Sequence, residues 1–217
     1  MRMLRTGLRM IGAGAALALA AGSAQALPVV IDFDGIASGA PANGAVSGLH
    51  FDLASLRPLL DAFGDPIPGS DAYRPDEDPF DVVRVNDPNT RGYGNAPSPA
   101  NALDALDQGV LITFDAPLDL ASFAATLDLS TFGFPGTFDI VFQDTNGAVL
   151  GTLATQQSVP GFVAALAAPL SGVASIYLPS GAFYDNLSFD VVPEPGTLAL
   201  LGLGLVGLAA ARRRTPR

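Results

Sequence analysis

Three aspartates, two near residue 33 and one near residue 185, could together bind a cation. Asp32 and Asp34 flank Phe33, and residues i and i+2 of a β-strand point to the same side, so both carboxylates would lie together on one face while Phe33 enters the core. Asp185 would join them if the first and last strands are neighbours. Because Ca²⁺ takes about six to eight oxygen ligands, we predict a structural calcium site at these aspartates. The alternative is three separate, solvated carboxylates.

Two further groups of side chains are weaker candidates for binding. The acidic segment Asp76–Asp78, with Asp71 and Asp81 nearby, lies between two prolines. It could hold a second Ca²⁺, but such a charge run is more often a solvated loop. Aromatic residues in or near predicted loops could stack on sugar rings, although packing in the core explains most aromatic residues more simply; these residues are Tyr73, Tyr93, Phe132 and Phe134.

The residue types needed for most catalytic sites are scarce. The chain has no cysteine, and its single histidine is His50, which is expected to be an exposed strand residue. One histidine cannot build a histidine-based zinc site, and no Gly-x-Ser-x-Gly nucleophile motif is present. We therefore predict that the protein is not an enzyme. A glycan-active hydrolase or lyase that uses paired aspartates is the alternative.

The segments that must position these residues are short and β-like. Alternating apolar and polar residues, broken by Pro and Gly at close spacing, predict strands at 29–33, 46–53, 81–85, 110–114, 122–129, 137–143, 148–154, 161–166, 173–178 and 183–191. The segments 54–79 and 86–108 are rich in Pro, Asp, Asn and Gly and are predicted to be surface loops, with a helical turn at 100–107. Ten short strands of this kind predict an all-β, two-sheet β-sandwich, jelly-roll-like rather than immunoglobulin-like.

The segment Asp144–Gly147 is the clearest local signal. Asn-Gly tolerates positive φ at both central positions of a tight turn. It therefore predicts a hairpin between the strands on either side. The same segment lacks the later acidic ligands of an EF-hand calcium loop.

The N-terminus has the three parts of a secretory signal peptide. Arg2, Arg5 and Arg9 form a basic start, an apolar run follows from 10 to 22, and Ala24–Ala26 supplies the small-residue cleavage pattern. We predict that residues 1–26 are removed by signal peptidase after Ala26.

The C-terminus has a different three-part pattern. The motif Pro193, Glu194, Pro195 precedes an uncharged apolar run at 196–211, and Arg212, Arg213 and Arg214 follow. The run is slightly short for a transmembrane helix, and the arginines should remain cytoplasmic. The predicted organisation is a signal peptide (1–26), a β domain (27–192) and a C-terminal signal (193–217) that anchors the precursor in the inner membrane.

Charge is concentrated between the two signals. Residues 27–195 contain all 21 acidic residues of the chain and only four arginines, giving a net charge of −17 at pH 7. A surface this acidic repels nucleic acid and anionic membranes, so both are excluded as partners of the exported domain.

The C-terminal pattern, read as V-P-E-P-G-T-L-A-L-L-G with a terminal arginine cluster, resembles the PEP-CTERM sorting signal of bacteria. The resemblance implies that an exosortase-like protease removes the helix near Pro193–Pro195 and passes the protein to the cell envelope, surface or extracellular matrix. An ordinary tail-anchored surface protein is the alternative.

The aspartate pattern is similar to the structural calcium site of jelly-roll carbohydrate-binding modules. That family places an acid-x-acid pair in the first strand and an Asp in the last, here Asp32, Asp34 and Asp185 within the segment 184–189. The two resemblances together imply a structural or carbohydrate-binding component of exopolysaccharide or biofilm.

Overall fold

A computed structural model describes residues 27–61, 63, 65–76, 82–91, 101–105, 107–129, 137–156, 161–192 and 204. The chain divides into two compact units. One is Leu27–Val191; the other combines Met1–Ala26 with Val192–Arg217. Apart from Val192 and Gly204, the second unit lies outside the described residues, and so do the predicted signal peptide and nearly all of the predicted membrane helix. Among the described residues, no helix is both long enough and apolar enough to cross a membrane.

The unit Leu27–Val191 is built from β-strands, which confirms the predicted all-β class. The strands are β1 (Leu27–Ile31), β2 (Leu49–Leu60), β3 (Pro66–Pro75), β4 (Val85–Asn86), β5 (Ala102–Ala105), β6 (Val110–Leu129), β7 (Thr137–Gln143), β8 (Val149–Gln156), β9 (Phe162–Ala165), β10 (Leu170–Leu178) and β11 (Ala182–Val191). A short helix, α1 (Pro88–Arg91), follows β4.

Strand β6 is the centre of the sheet. The hydrogen-bonded order is β4-β5-β11-β6-β10-β7-β8, with β1 paired to β11, β9 to β6, and β2 to both β6 and β3. Residues 110–114 of β6 pair with β2 and β10, whereas residues 120–129 pair mainly with β11 and β9. The prediction of separate strands at 110–114 and 122–129 was therefore wrong, because β6 continues through Pro117 while the register of β10 shifts beside it.

Buried aromatic residues form contacts between strands of the sheet, both neighbouring and non-neighbouring. Phe123 of β6 meets Phe142 of β7 edge to face at 5.2 Å, and Phe114 of β6 meets Phe189 of β11 at 5.6 Å. Ile112, Ile140 and Ile176 are almost fully buried in the same cluster. Each such side chain contributes about 1.5–3 kcal/mol when buried, so this cluster is the main source of stability in a domain without disulfides.

The predicted loop at 54–79 is largely a hairpin, so that prediction was wrong. β2 continues to Leu60 and pairs with β3. The prolines at 66, 68 and 75 suggested a loop, but proline is compatible with a strand that pairs along one side. In the described part of the chain β3 pairs with β2 alone.

The predicted helical turn at 100–107 was also wrong. Its central residues form β5, where Leu103 pairs with Val85 of β4 and Tyr184 of β11. Ala and Leu favour helices in isolation, but burial between two strands overrides that preference. The predicted loop at 86–108 therefore contains the end of β4, α1 and β5.

The predicted hairpin at Asp144–Gly147 is confirmed and joins β7 to β8. The Asp144 N–H donates to Ala148 O at 3.0 Å, and the Gly147 N–H donates to Asp144 O at 3.0 Å. Gly147 has φ +84°, but Asn146 does not have positive φ. The turn therefore needs one left-handed residue rather than the two that we predicted, as is typical of hairpin loops longer than two residues.

Candidate functional site

The predicted neighbour relation between the first and last strands is confirmed. β1 pairs antiparallel with β11, and the pairing ends at Ile31 opposite Leu187. Asp32 and Asp34 therefore follow β1 and do not share a strand face, which corrects the predicted geometry. The physical reason is Phe33, whose left-handed backbone (φ +52°) ends the strand and begins a turn closed by Ile36 N–H donating to Phe33 O at 3.0 Å.

Two strained residues lie at this end of the β1–β11 pair. Within the described ranges, Phe33 and Asn186 are the non-glycine residues with positive φ. In the antiparallel register, the residue after Ile31 lies opposite Asn186. Such conformations cost about 1–3 kcal/mol each and are common at functional sites. Burial of the Phe33 ring, which meets Phe51 edge to face at 6.0 Å, offsets this energy.

The three aspartates have different environments. Asp32 and Asp34 are exposed, whereas Asp185 is fully buried. One oxygen of Asp185 accepts a hydrogen bond from Asn186 N–H at 2.7 Å. The Asp34 carboxylate accepts a hydrogen bond from Asn101 N–H at 3.4 Å.

Asn101 is a residue of this site that sequence reasoning missed. It is buried, and its side-chain amide donates to Ile36 O at 2.8 Å. It thereby ties the segment after β1 to the start of β5. Its position in a predicted loop gave no signal of this role.

No group of three or more His, Cys, Asp or Glu side chains is close enough to hold a metal ion in the part of the chain that the structure describes. The calcium site at Asp32, Asp34 and Asp185 stays a prediction. In the second acidic group, Asp71 is exposed and Asp76 is half-buried, while residues 77–81 lie outside the described residues.

His50 lies on an exposed part of β2, and its Nε2 is 2.8 Å from Asp115 Oδ1 on β6. The register of β2 against β6 explains this pair. His50 is opposite Thr113, and Asp115 is two residues further along β6 on the same face. Both side chains are more than half exposed, so the pair lacks the enclosed environment that strengthens a catalytic dyad.

A groove of about 560 Å³ lies on the β2–β3 hairpin and is lined by Arg57, Pro58, Leu60, Arg74 and Pro75. The Arg57 guanidinium donates to Pro75 O. Two of the four arginines of residues 27–195 thus line one concave surface. This groove was not predicted, because the segment that forms the hairpin was predicted to be a loop.

The Tyr73 ring packs against another aromatic ring. Its ring is stacked on Tyr177 with 3.5 Å between centroids and an interplanar angle of 7°, so one of its faces is unavailable to a sugar. The other aromatic candidates, Tyr93, Phe132 and Phe134, lie outside the described residues.

The C-terminal signal begins directly where the sheet ends. Val191 is the last residue of β11 and pairs with Leu27, the predicted N-terminus after signal-peptide removal. Only Val192 separates β11 from Pro193. Ala26, Pro193–Pro195 and Arg212–Arg214 lie outside the described residues, so their predicted roles remain predictions from sequence.

Comparisons with known proteins bear mainly on the C-terminal signal. No curated protein matches the chain. The crystal structure of the K2 cleaved adhesin domain of Lys-gingipain is similar, with a TM-score of 0.42 and 10% identity, over 75% of this chain and 99% of that one; a similarity this low supports no inference. The PEP-CTERM protein-sorting motif matches residues 191–214. This match identifies the C-terminus as a PEP-CTERM sorting motif, which implies an exported, membrane-anchored precursor that an exosortase processes to the cell surface.

Proposed function

We propose that the protein is a non-catalytic component of the bacterial cell surface or extracellular matrix that binds exopolysaccharide. The observation that carries the proposal is the sorting motif at residues 191–214. Signal peptidase would cleave after Ala26, and exosortase processing near Pro193–Pro195 would then release the acidic β domain from the inner membrane.

The groove on the β2–β3 hairpin is the proposed polysaccharide site. Arg57 and Arg74 line it with two guanidinium groups, whose positive charge attracts carboxylates. Pro58, Leu60 and Pro75 supply an apolar surface beside them, so the groove suits a glycan with acidic sugar residues. An exposed site of this kind fits a long polymer better than a small substrate that must be enclosed.

For the domain architecture we propose a two-sheet sandwich in which β6 belongs to both sheets. One sheet would contain β2, the first half of β6, β10, β7 and β8. The other would contain the second half of β6, β9, β11 and β1. The edge-to-face contacts Phe123–Phe142 and Phe114–Phe189 support this arrangement, because each joins a strand of one proposed sheet to a strand of the other.

Retention on the polysaccharide tests this function. Mature protein from the host should be slowed in a native gel that contains the host's own exopolysaccharide. The double variant Arg57→Gln/Arg74→Gln should lose most of this retardation. The control Arg84→Gln removes one positive charge outside the groove and should keep the retardation. Absence of retardation for the wild type, or release of sugar products on incubation, would refute non-catalytic binding.

A further inference from the structure

The edge strands of the sheet differ in how well they are protected from pairing with another chain. An unpaired edge offers free backbone N–H and C=O groups, and proteins usually block it with proline, charge or short length. β3 carries three prolines, β4 has two residues and β9 has four. β8 has eight residues, VLGTLATQ, with neither proline nor charge. In the described part of the chain it pairs with β7 alone.

β8 lies in an uncharged part of the sequence. No charged residue occurs between Asp144 and Asp185, a segment that also contains β9 and β10, although residues 27–195 carry a net charge of −17. Two copies of so acidic a protein repel each other, and this repulsion is weakest where neither surface carries charge. Depletion of charged residues is also the usual feature of the core of a protein–protein interface.

The side chains of β8 suit a paired strand. Val149 is 57% exposed and Leu150 is 36% exposed, and Thr152 and Ala154 are exposed as well. These aliphatic and β-branched residues favour strand pairing. The opposite face is held in place by the core, since Leu153 packs against the buried cluster and Thr155 is buried.

We propose that β8 is a self-association site, where β8 of one copy pairs antiparallel with β8 of a second copy across a two-fold axis. This pairing extends the sheet from one copy into the next and juxtaposes the same neutral residues from both sides. A second copy of this chain is the occupant that we favour, because its β8 is also uncharged and the two edges do not repel each other. The inference does not depend on polysaccharide binding.

Site-directed crosslinking tests the proposal in the full chain. The protein has no cysteine, so single substitutions Leu150→Cys, Thr152→Cys and Ala154→Cys give unambiguous positions. A short bismaleimide should produce a dimer at one or more of them, most strongly near the two-fold axis. Leu56→Cys and Val163→Cys are matched controls at 57% and 56% exposure on β2 and β9, and should stay monomeric.

Equal crosslinking at the controls, or no dimer at any β8 position, would overturn the proposal. Leu150→Glu supplies an independent measurement. It should weaken dimerisation at least tenfold in sedimentation equilibrium of the detergent-solubilised full chain, because it introduces two like charges at the pairing edge. Leu56→Glu should have no such effect. Unchanged dimerisation of Leu150→Glu would also contradict β8 pairing.

Discussion

The Tyr177 ring occupies the space that a side chain at position 109 would need. A Cβ on Gly109 would lie 2.3 Å from Tyr177 Cε2, which is far inside van der Waals contact. Tyr177 also stacks on Tyr73 of β3, and such an aromatic pair contributes about 0.5–1.5 kcal/mol beyond its buried area. Gly109 therefore lets one ring fix the β2–β3 hairpin against the body of the sheet.

We expect Gly109→Ala to lower the free energy of unfolding by about 1–3 kcal/mol, because Tyr177 must leave its position to make room for the methyl group. Urea unfolding measures the change. Gly35→Ala is the matched control, since its Cβ would have no atom within 4 Å, and it should change stability by less than about 0.5 kcal/mol. Equal effects of the two substitutions would show that the Tyr177 contact is not constrained.

Two tyrosines, the half-buried Tyr177 and the fully buried Tyr184, predict a loss of stability at alkaline pH. Burial, followed by Tyr73, raises the pKa of Tyr177 to about 12, and burial raises the pKa of Tyr184 well above its ordinary value. In the unfolded chain both ionise near pH 10, so the stability is complete below pH 10 and falls as the pH rises toward 12. Unfolding by urea between pH 9 and 12 measures this. Tyr184→Phe should make the fall shallower; a flat profile for the wild type would contradict the account.

At the scale of elements, the success of sequence-based prediction depended on how each strand is buried. β7, β8 and their turn were predictable because apolar and polar residues alternate along β7 and a Gly closes the loop. β3 and β5 were not, because prolines in an edge strand and an Ala-Leu run between two partners resemble other structures when read locally. The candidate calcium site was predictable only in part. The pairing of β1 with β11 was confirmed, but the left-handed backbone of Phe33 and the contact of Asn101 arise from long-range packing.

The β7–β8 turn should be sensitive to substitution at Gly147. Its φ of +84° disfavours a residue with a Cβ by about 1 kcal/mol, so Gly147→Ala should lower the free energy of unfolding by that amount. Thermal unfolding of the Gly147→Ala and Gly35→Ala variants measures the change. Equal stability of the two variants would contradict the assigned turn.

The same turn predicts a contribution to stability in acid. Backbone hydrogen bonds, chiefly from Ala148, lower the pKa of Asp144. Its contribution is therefore present above the ordinary aspartate pKa and is lost as the pH falls below it. Asp144→Ala should remove this part of the acid dependence in urea unfolding between pH 2 and 6; an unchanged profile would contradict it.

For the whole molecule, the net charge and the absence of disulfides limit what can stabilise the exported domain. An acidic domain without disulfides depends on its apolar core and, as we predict, on Ca²⁺ at Asp32, Asp34 and Asp185. A cation there would neutralise carboxylates beside two strained residues, Phe33 and Asn186.

Chelation tests the calcium prediction. EDTA should lower the melting temperature and added Ca²⁺ should restore it. Asp34→Asn, a change at an exposed position, should remove most of the difference, whereas Asp139→Asn at an exposed position of β7 should not. A melting curve that is the same with chelator and with Ca²⁺ would exclude the site.

The intact mass of the mature protein from its native host tests whether the sorting motif is processed. We predict an N-terminus at Leu27 and a C-terminus near Pro195, with the segment 196–217 removed. A mature protein that retains the tail through Arg217 would contradict exosortase processing and would indicate a permanently anchored surface protein.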